Sequence, residues 1–274
     1  MAITTLDGLI AGLRPPELLM KTGTTMEAAG VLHSLFYTAG RPGAAVAPSP
    51  GLAGAALTSY GGQVPYTDPV AGNGYLARLE AHASIAGCLI VADRLWHNSG
   101  LVVSTLTAQT VNSATWPARD MNGSTNGEGV LVGIEVSTAT TNVSAVTNTT
   151  MSYTNQGGTS GRTATIPSTG PGAGFPATAV AGTFVPFQLA AGDSGVGSIQ
   201  SVTLGTSYAG GAIHLVAYRV LAVLPVPVAN VGQAQDALAV GLPRLYNGTV
   251  PFLLWLPTAT TAATVAGQLT YAHG

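Results

Sequence analysis

The chain reads as a mainly β protein, an antiparallel β-sandwich or jelly-roll-like domain preceded by a short helical arm. Three observations predict this. Short runs rich in β-branched residues recur from residue 88 onward, polar Gly/Asn/Ser clusters separate them, and helical periodicity is confined to the first forty residues. At 274 residues the chain is long enough to bury a substantial core.

The elements follow in order. Leu6, Leu9, Ile10 and Leu13 recur at helical spacing, and Pro15-Pro16 ends that helix. A second helix is expected from the capping-box pattern Thr24-x-x-Glu27, with Val31, Leu32, Leu35 and Phe36 as its apolar stripe and Gly40 as its stop. Residues 41–74 are rich in proline and glycine, which disfavours a long helix or a central strand. They form an extended arm or a long ordered loop. Strands are expected at Cys88–Trp96, Leu101–Thr107, Gly129–Val136, Thr149–Thr154, Arg162–Ile166, Thr183–Leu189, Ile199–Thr206 and Ala212–Leu224. A loose segment over residues 168–179 and the turn Asn155-Gln156-Gly157-Gly158 separate some of them. Asn247-Gly248 is a hairpin-type turn before the apolar run Val250–Leu256. The expected organisation is an N-terminal arm (1–74), a β domain (75–228) and a C-terminal segment making intersubunit or edge contacts (229–274).

Charge is the outlier. Only 7% of residues are ionisable Asp, Glu, Lys or Arg, against roughly 25% in an ordinary soluble domain. Such a chain must cover its exterior with Thr, Ser, Asn, Gly and small apolar residues, which suits a protein that meets other protein on several sides. Its nine cations are scattered and the net charge is −2, so no basic face for nucleic acid is expected. Cys88 is the only cysteine, which excludes an intrachain disulfide and a thiolate metal cage; its apolar neighbours suggest a buried, inert thiol. The N-terminus lacks a basic region ahead of its apolar stretch, and Arg219, Pro225 and Pro227 interrupt the most apolar segment, so neither a secretory signal nor a membrane span is expected.

Three constellations invite chemistry. Gly192-Asp193-Ser194-Gly195 matches the surroundings of the chymotrypsin-like nucleophile, but the match ends at Val196. No histidine stands in that family's sequence context, so a turn is the expected reading. VADRLWHNSG (91–100) gathers Asp93, Arg94, His97 and Ser99; strand alternation puts Asp93, Leu95 and His97 on one face and Arg94 and Trp96 on the other. Asp120 to Glu128 offers an oxygen-bearing side chain at every second position, a spacing that could serve calcium, though the glycine and glutamate are misplaced for an EF-hand loop. Sequons at Asn122, Asn142, Asn148 and Asn247 reflect Asn and Thr richness. No catalytic residue, cofactor or metal is assigned.

The strings LDGLIAG (6–12), LHSLFYTAG (32–40), PGLAGAALTSY (50–60), ADRLWHNSG (92–100), MSYTNQGGTSGRTATI (151–166) and IHLVAYRVL (213–221) resemble tailed-bacteriophage virion structural proteins of the capsid type. That resemblance implies a non-enzymatic decoration (cement) or minor head protein on the virion's capsid surface. Its partners would be the major capsid protein and copies of itself, in a homo-oligomer for which a trimer is one geometry; no nucleic acid or membrane is implied. Leu6, Leu9, Leu13, Leu35, Phe36, Tyr60, Trp96, Trp116 and Trp255 are the expected interface residues. A tail- or fibre-associated β module binding a host glycan is the alternative, and it requires an exposed aromatic platform.

Overall fold

A computed structural model describes residues 3–23, 28–167, 174–241 and 243–274. The elements are α1 (Leu6–Gly12), β1 (Glu17–Thr22), β2 (Leu32–Ser34), β3 (Gly40–Arg41), β4 (Ala55–Ala56), β5 (Gly74–Ala83) and β6 (Gly87–His97). There follow β7 (Gln109–Thr110), β8 (Val130–Thr138), β9 (Thr150–Asn155), β10 (Arg162–Thr165), β11 (Thr183–Pro186) and β12 (Val196–Thr203). The chain closes with β13 (Ala212–Val226), β14 (Gln233–Asp236), α2 (Ala237–Val240), β15 (Arg244–Leu245), β16 (Pro251–Pro257) and β17 (Thr264–His273). The fold is mainly β and antiparallel, with 43% strand and 4% helix.

Its centre is a closed barrel. The ladder runs β13-β8-β11-β2-β16-β6, and β6 pairs back onto β13, so no edge is left in that ring. Strand alternation then sorts side chains to two sides. Phe36, Ala92, Phe184, Val216, Tyr218, Phe252 and Leu254 form a cluster of their own at the barrel centre. Gly133 makes room there: a β-carbon at that position would lie 2.5 Å from the Phe184 ring.

The outward residues of the same strands build two further cores. On one side Val130, Val132, Ile134, Leu215 and Ala217 meet Met151, Tyr153, Ile199 and Val202 of the small sheet β10-β9-β12-β7. On the other, Leu89, Val91, Leu253 and Trp255 meet Leu19, Leu79, Val265 and Leu269 of the sheet β14-β5-β17-β1-β3. The molecule is thus a barrel clad by a sheet on two flanks.

Several expectations are corrected here. The stripe Val31–Phe36 is not helical; it holds the short strand β2 followed by turns, because pairing with β11 and β16 outweighs the local period. The Thr24–Glu27 cap lies outside the described residues, as do residues 168–173 of the loose segment. Leu101–Thr107 contains no strand, and the strand expected from Ile199 begins at Val196. Residues 41–74 lie on the body as an ordered loop: Leu57 N–H donates to the Leu95 carbonyl and Val64 N–H to that of Pro251. Nor do the boundaries at 74 and 228 separate folding units. β2 and β16 complete the barrel from either side of them, and β5 pairs with β17. Asn247-Gly248 is a turn, but β15 and β16 flanking it do not pair with each other.

Candidate interaction face

In the 91–100 stretch, Asp93, Arg94 and His97 are buried. A bulge at Leu95 shifts the alternation of β6, so that His97 stands with Arg94 and not with Asp93. Arg94 forks onto Glu135 at 2.9 and 2.6 Å, and its Nε donates to His97 Nδ1 at 3.2 Å. Tyr37 Oη also donates to Glu135, at 2.8 Å. Burial works against the Glu135 carboxylate, and the Arg94 guanidinium overcomes it, holding the pKa below the usual range. The guanidinium lies 4.5 Å from the Phe36 ring centre and 5.5 Å from that of Phe252. Burial, reinforced by Arg94, pushes His97 down to about 3.

Asp93 faces the other way and receives a second fork, from Arg119 at 2.9 and 3.1 Å; Arg119 also reaches the Leu57 carbonyl at 2.7 Å. Asp93 further accepts the Val250 N–H at 2.9 Å. This pair pins the 41–74 loop and the entry to β16 onto the barrel wall. Both ion pairs are buried: the side chains of Arg94, Glu135 and Asp93 have no exposed surface and that of Arg119 keeps 2%.

The Gly192–Gly195 tetrad is a turn, as expected. Asp193 is held by Arg162, Tyr153 and Asn155, which lower its pKa to about 2. Ser194 N–H is bonded to Gln156, and among the described residues no histidine is hydrogen-bonded to Ser194. In the 120–128 loop the donors turn inward. Asp120 accepts from the N–H groups of Asn122, Ser124, Gly127 and Glu128 and from the Ser124 hydroxyl. A carboxylate wrapped by donors is the inverse of a calcium site, which needs converging oxygens. Asp120→Ala is expected to cost about 1–3 kcal/mol in denaturant unfolding, with no change in stability on adding calcium to the native protein.

Most expected interface residues are core. Trp96, Trp116 and Trp255 are 0%, 2% and 0% exposed. The Trp96 indole donates to the Ala53 carbonyl and that of Trp116 to Val196, the two rings meeting edge to face at 5.3 Å. Leu35 packs between the barrel and the larger sheet, and Phe36 joins the cluster at the barrel centre. Tyr60, half-buried, stacks on Phe36 and meets the His97 ring edge to face at 4.7 Å. Trp96 and Trp255 turn inward from strands, and Leu35, Phe36 and Trp116 from turns and loops, where such large side chains bury the most surface. Cys88 is half-buried, and burial raises its pKa.

Leu6, Leu9 and Leu13 differ. Thr5 caps α1 by accepting the Gly8 N–H, and Leu13 N–H closes its end on the Ile10 carbonyl. The helix is fastened to β17 through Gly12, where a β-carbon would lie 2.3 Å from the His273 carbonyl oxygen, and through the bridge from Leu13 to Ala272. No residue of the helix is buried. Leu6 and Ile10 are 57% and 59% exposed, and Leu18 and Met20 project from β1 alongside. Across the sheet, Asp236 caps α2 by accepting from Leu238 and Ala239, which thrusts Leu238 into solvent at 76%. Between the helices runs a groove of about 280 Å³ lined by Leu9, Ile10, Leu13, Pro16, Ala77 and Leu238, among others. A second groove of about 550 Å³ shares Ala77, Arg78 and Asp236 with it. Leu18, Met20 and Leu238 were not expected. The run Glu17-Leu-Leu-Met-Lys shows no period-2 pattern, because its outward residues are as apolar as Leu19.

The class this architecture defines is a mainly β antiparallel protein with a closed central barrel, on which α1, β1 and α2 present exposed apolar side chains. No family model matches the chain, and no curated protein does. Among solved structures, the infectious bursal disease virus VP2 subviral particle aligns over 96% of this chain and 82% of its own at 12% identity, with a TM-score of 0.20. The Gt strain of the same virus aligns over 95% and 82% at 13% identity and a TM-score of 0.21. Both scores lie below the level of a shared fold.

Proposed function

We propose that the chain is a non-enzymatic virion structural protein that binds a phage capsid shell in many copies and stabilises it as a decoration or cement component. The observation that carries this reading is the apolar face of α1, β1 and α2 on a protein with so few charges. A helix of two turns is not stable by itself in water, and its apolar stripe faces outward, where other protein would cover it. The sequence resemblance to tailed-phage virion proteins points the same way. Four of the nine cations, Arg94, Arg119, Arg162 and Arg78, pair with Glu135, Asp93, Asp193 and Glu80. With a net charge of −2 the chain offers no strong positive field to nucleic acid.

Repeated attachment on a lattice turns weak single contacts into lasting binding. The glycan-binding alternative gains no support, since every aromatic residue, all of them among those described, is buried or half-buried. The test is sedimentation of phage heads lacking the protein with purified chain added back. Saturable co-sedimentation in many copies per head, with raised resistance of the heads to heat, is expected. Recovery of the chain in the supernatant at every concentration would reject the reading.

A further inference from the structure

We propose that Ser137, with His214 as its base, is a reactive hydroxyl that takes the acyl group of a small activated ester, a covalent modification site at the end of β8. The site is independent of the structural role: a chain that never binds heads would still carry it.

Local pairing explains the placement. His214 of β13 stands opposite Glu135 of β8. Further along, Ala212 and Ile213 face Thr138 and Val136, so Ser137 is an extra residue with no partner on β13. Bulges of this kind re-aim a side chain. The Ser137 hydroxyl lies 2.7 Å from His214 Nε2, and His214 Nδ1 lies 2.8 Å from the Asn98 carbonyl oxygen.

The positions of the protons follow. A carbonyl only accepts, so Nδ1 carries its hydrogen and donates it to Asn98. Burial, reinforced by the Arg94 charge, holds the ring pKa below its ordinary value against the pull of the Asn98 carbonyl and Glu135. The imidazole is therefore neutral at pH 7. Its Nε2 presents a bare lone pair, to which the Ser137 hydroxyl donates. That is the relation of a nucleophile to its general base, with a backbone carbonyl orienting the ring where a triad has a carboxylate. The carbonyl is itself fixed. Asn98 N–H donates to the Leu215 carbonyl at 3.1 Å, and its side chain accepts the Leu215 N–H at 2.7 Å and donates to the Leu52 carbonyl at 3.2 Å.

Access separates the partners. His214 is 4% exposed and Asn98 is buried, whereas Ser137 is half-buried beside exposed Thr138 and Ala139. A small acyl donor reaches Oγ from the solvent side. The Oγ–C bond forms as the bond to the leaving alkoxide or phenoxide breaks, and the serine proton passes to Nε2 and from there to the leaving group. The new ester stands between solvent and Nε2, so water has little path to the base. One acyl group per chain stays in place, and no turnover follows.

Treating the native full chain with p-nitrophenyl acetate, followed by peptide mapping by mass spectrometry, tests this. Ser137 is expected to be acetylated roughly a hundredfold faster than any other serine or threonine, the low end of what a positioned base contributes. The preference is expected to vanish in urea. His214→Gln, with its circular dichroism spectrum unchanged, is expected to slow acetylation of Ser137 by the same factor. Acetyl groups spread evenly over the exposed hydroxyls of the native wild type, or a Ser137 left unmodified, would overturn the site without any variant. Undiminished acetylation of Ser137 in a folded His214→Gln chain would overturn it too.

Discussion

Replacing Arg94 with methionine is expected to lower the unfolding free energy by about 3–5 kcal/mol, the range for breaking one side of a buried ion pair. The loss comes less from the bond itself than from what remains. Glu135 lies at 0% exposure in the barrel, and without the fork it keeps only the Tyr37 and Ser34 hydroxyls. Its carboxyl must then take up a proton or drag water into the barrel. The double replacement Arg94→Met with Glu135→Leu is expected to recover most of the loss, because two apolar groups among Phe36, Phe184 and Phe252 leave no charge unpaired. Urea titrations of the three variants check this. Equal destabilisation in the single and the double variant would mean that packing, not charge, holds the barrel interior.

Acid is expected to begin destabilising the protein well above the range where carboxylates protonate. Burial holds His97 at about 3 and His33 at about 4, and His33 Nε2 also accepts the Ala28 N–H, which needs a neutral ring. Unfolded, each would titrate near 6.5. Between the two values the unfolded chain binds more protons than the folded one, so stability rises with pH across that interval and is lost on acidification from about 6.5 downward. Each unit of separation is worth about 1.4 kcal/mol, so the two rings together remove several kcal/mol by pH 4. Melting midpoints measured from pH 7 to pH 4 should fall steeply. His97→Gln combined with His33→Gln should flatten the curve, and an unchanged slope in that variant would assign the acid sensitivity elsewhere.

The strands of the middle of the chain were legible because their alternation is clean and their turns are explicit. β6, β8, β9, β10 and β13 fall close to where the β-branched runs place them. The large flanking sheet was not legible. β1 is apolar on both faces, β5 carries Arg78, Glu80 and His82 on its outer side, and their shared partner β17 lies some 250 positions from β1 along the chain. Local pattern holds no information about such a pairing. The helix expected around Leu35 failed for a related reason: residues at i, i+1, i+4 and i+5 also fit a strand followed by a buried turn, and only tertiary contacts decide. For the candidate face, helical spacing located Leu6, Leu9 and Leu13 but predicted nothing about which way they point. The tryptophans were misplaced because size alone suits an anchor and a core equally well. The Leu95 bulge, invisible in sequence, decided which neighbours His97 would have.

Ring closure also orders events in time. Since β16 bridges β2 and β6, a nascent polypeptide cannot seal the cylinder until residues 251–257 have left the ribosome. Until then β2 and β6 present raw hydrogen-bonding edges, the kind that invite pairing with the wrong chain. Contacts so distant in sequence also form slowly. Production of this protein therefore favours slow synthesis and low temperature, conditions that keep half-made copies from finding each other first.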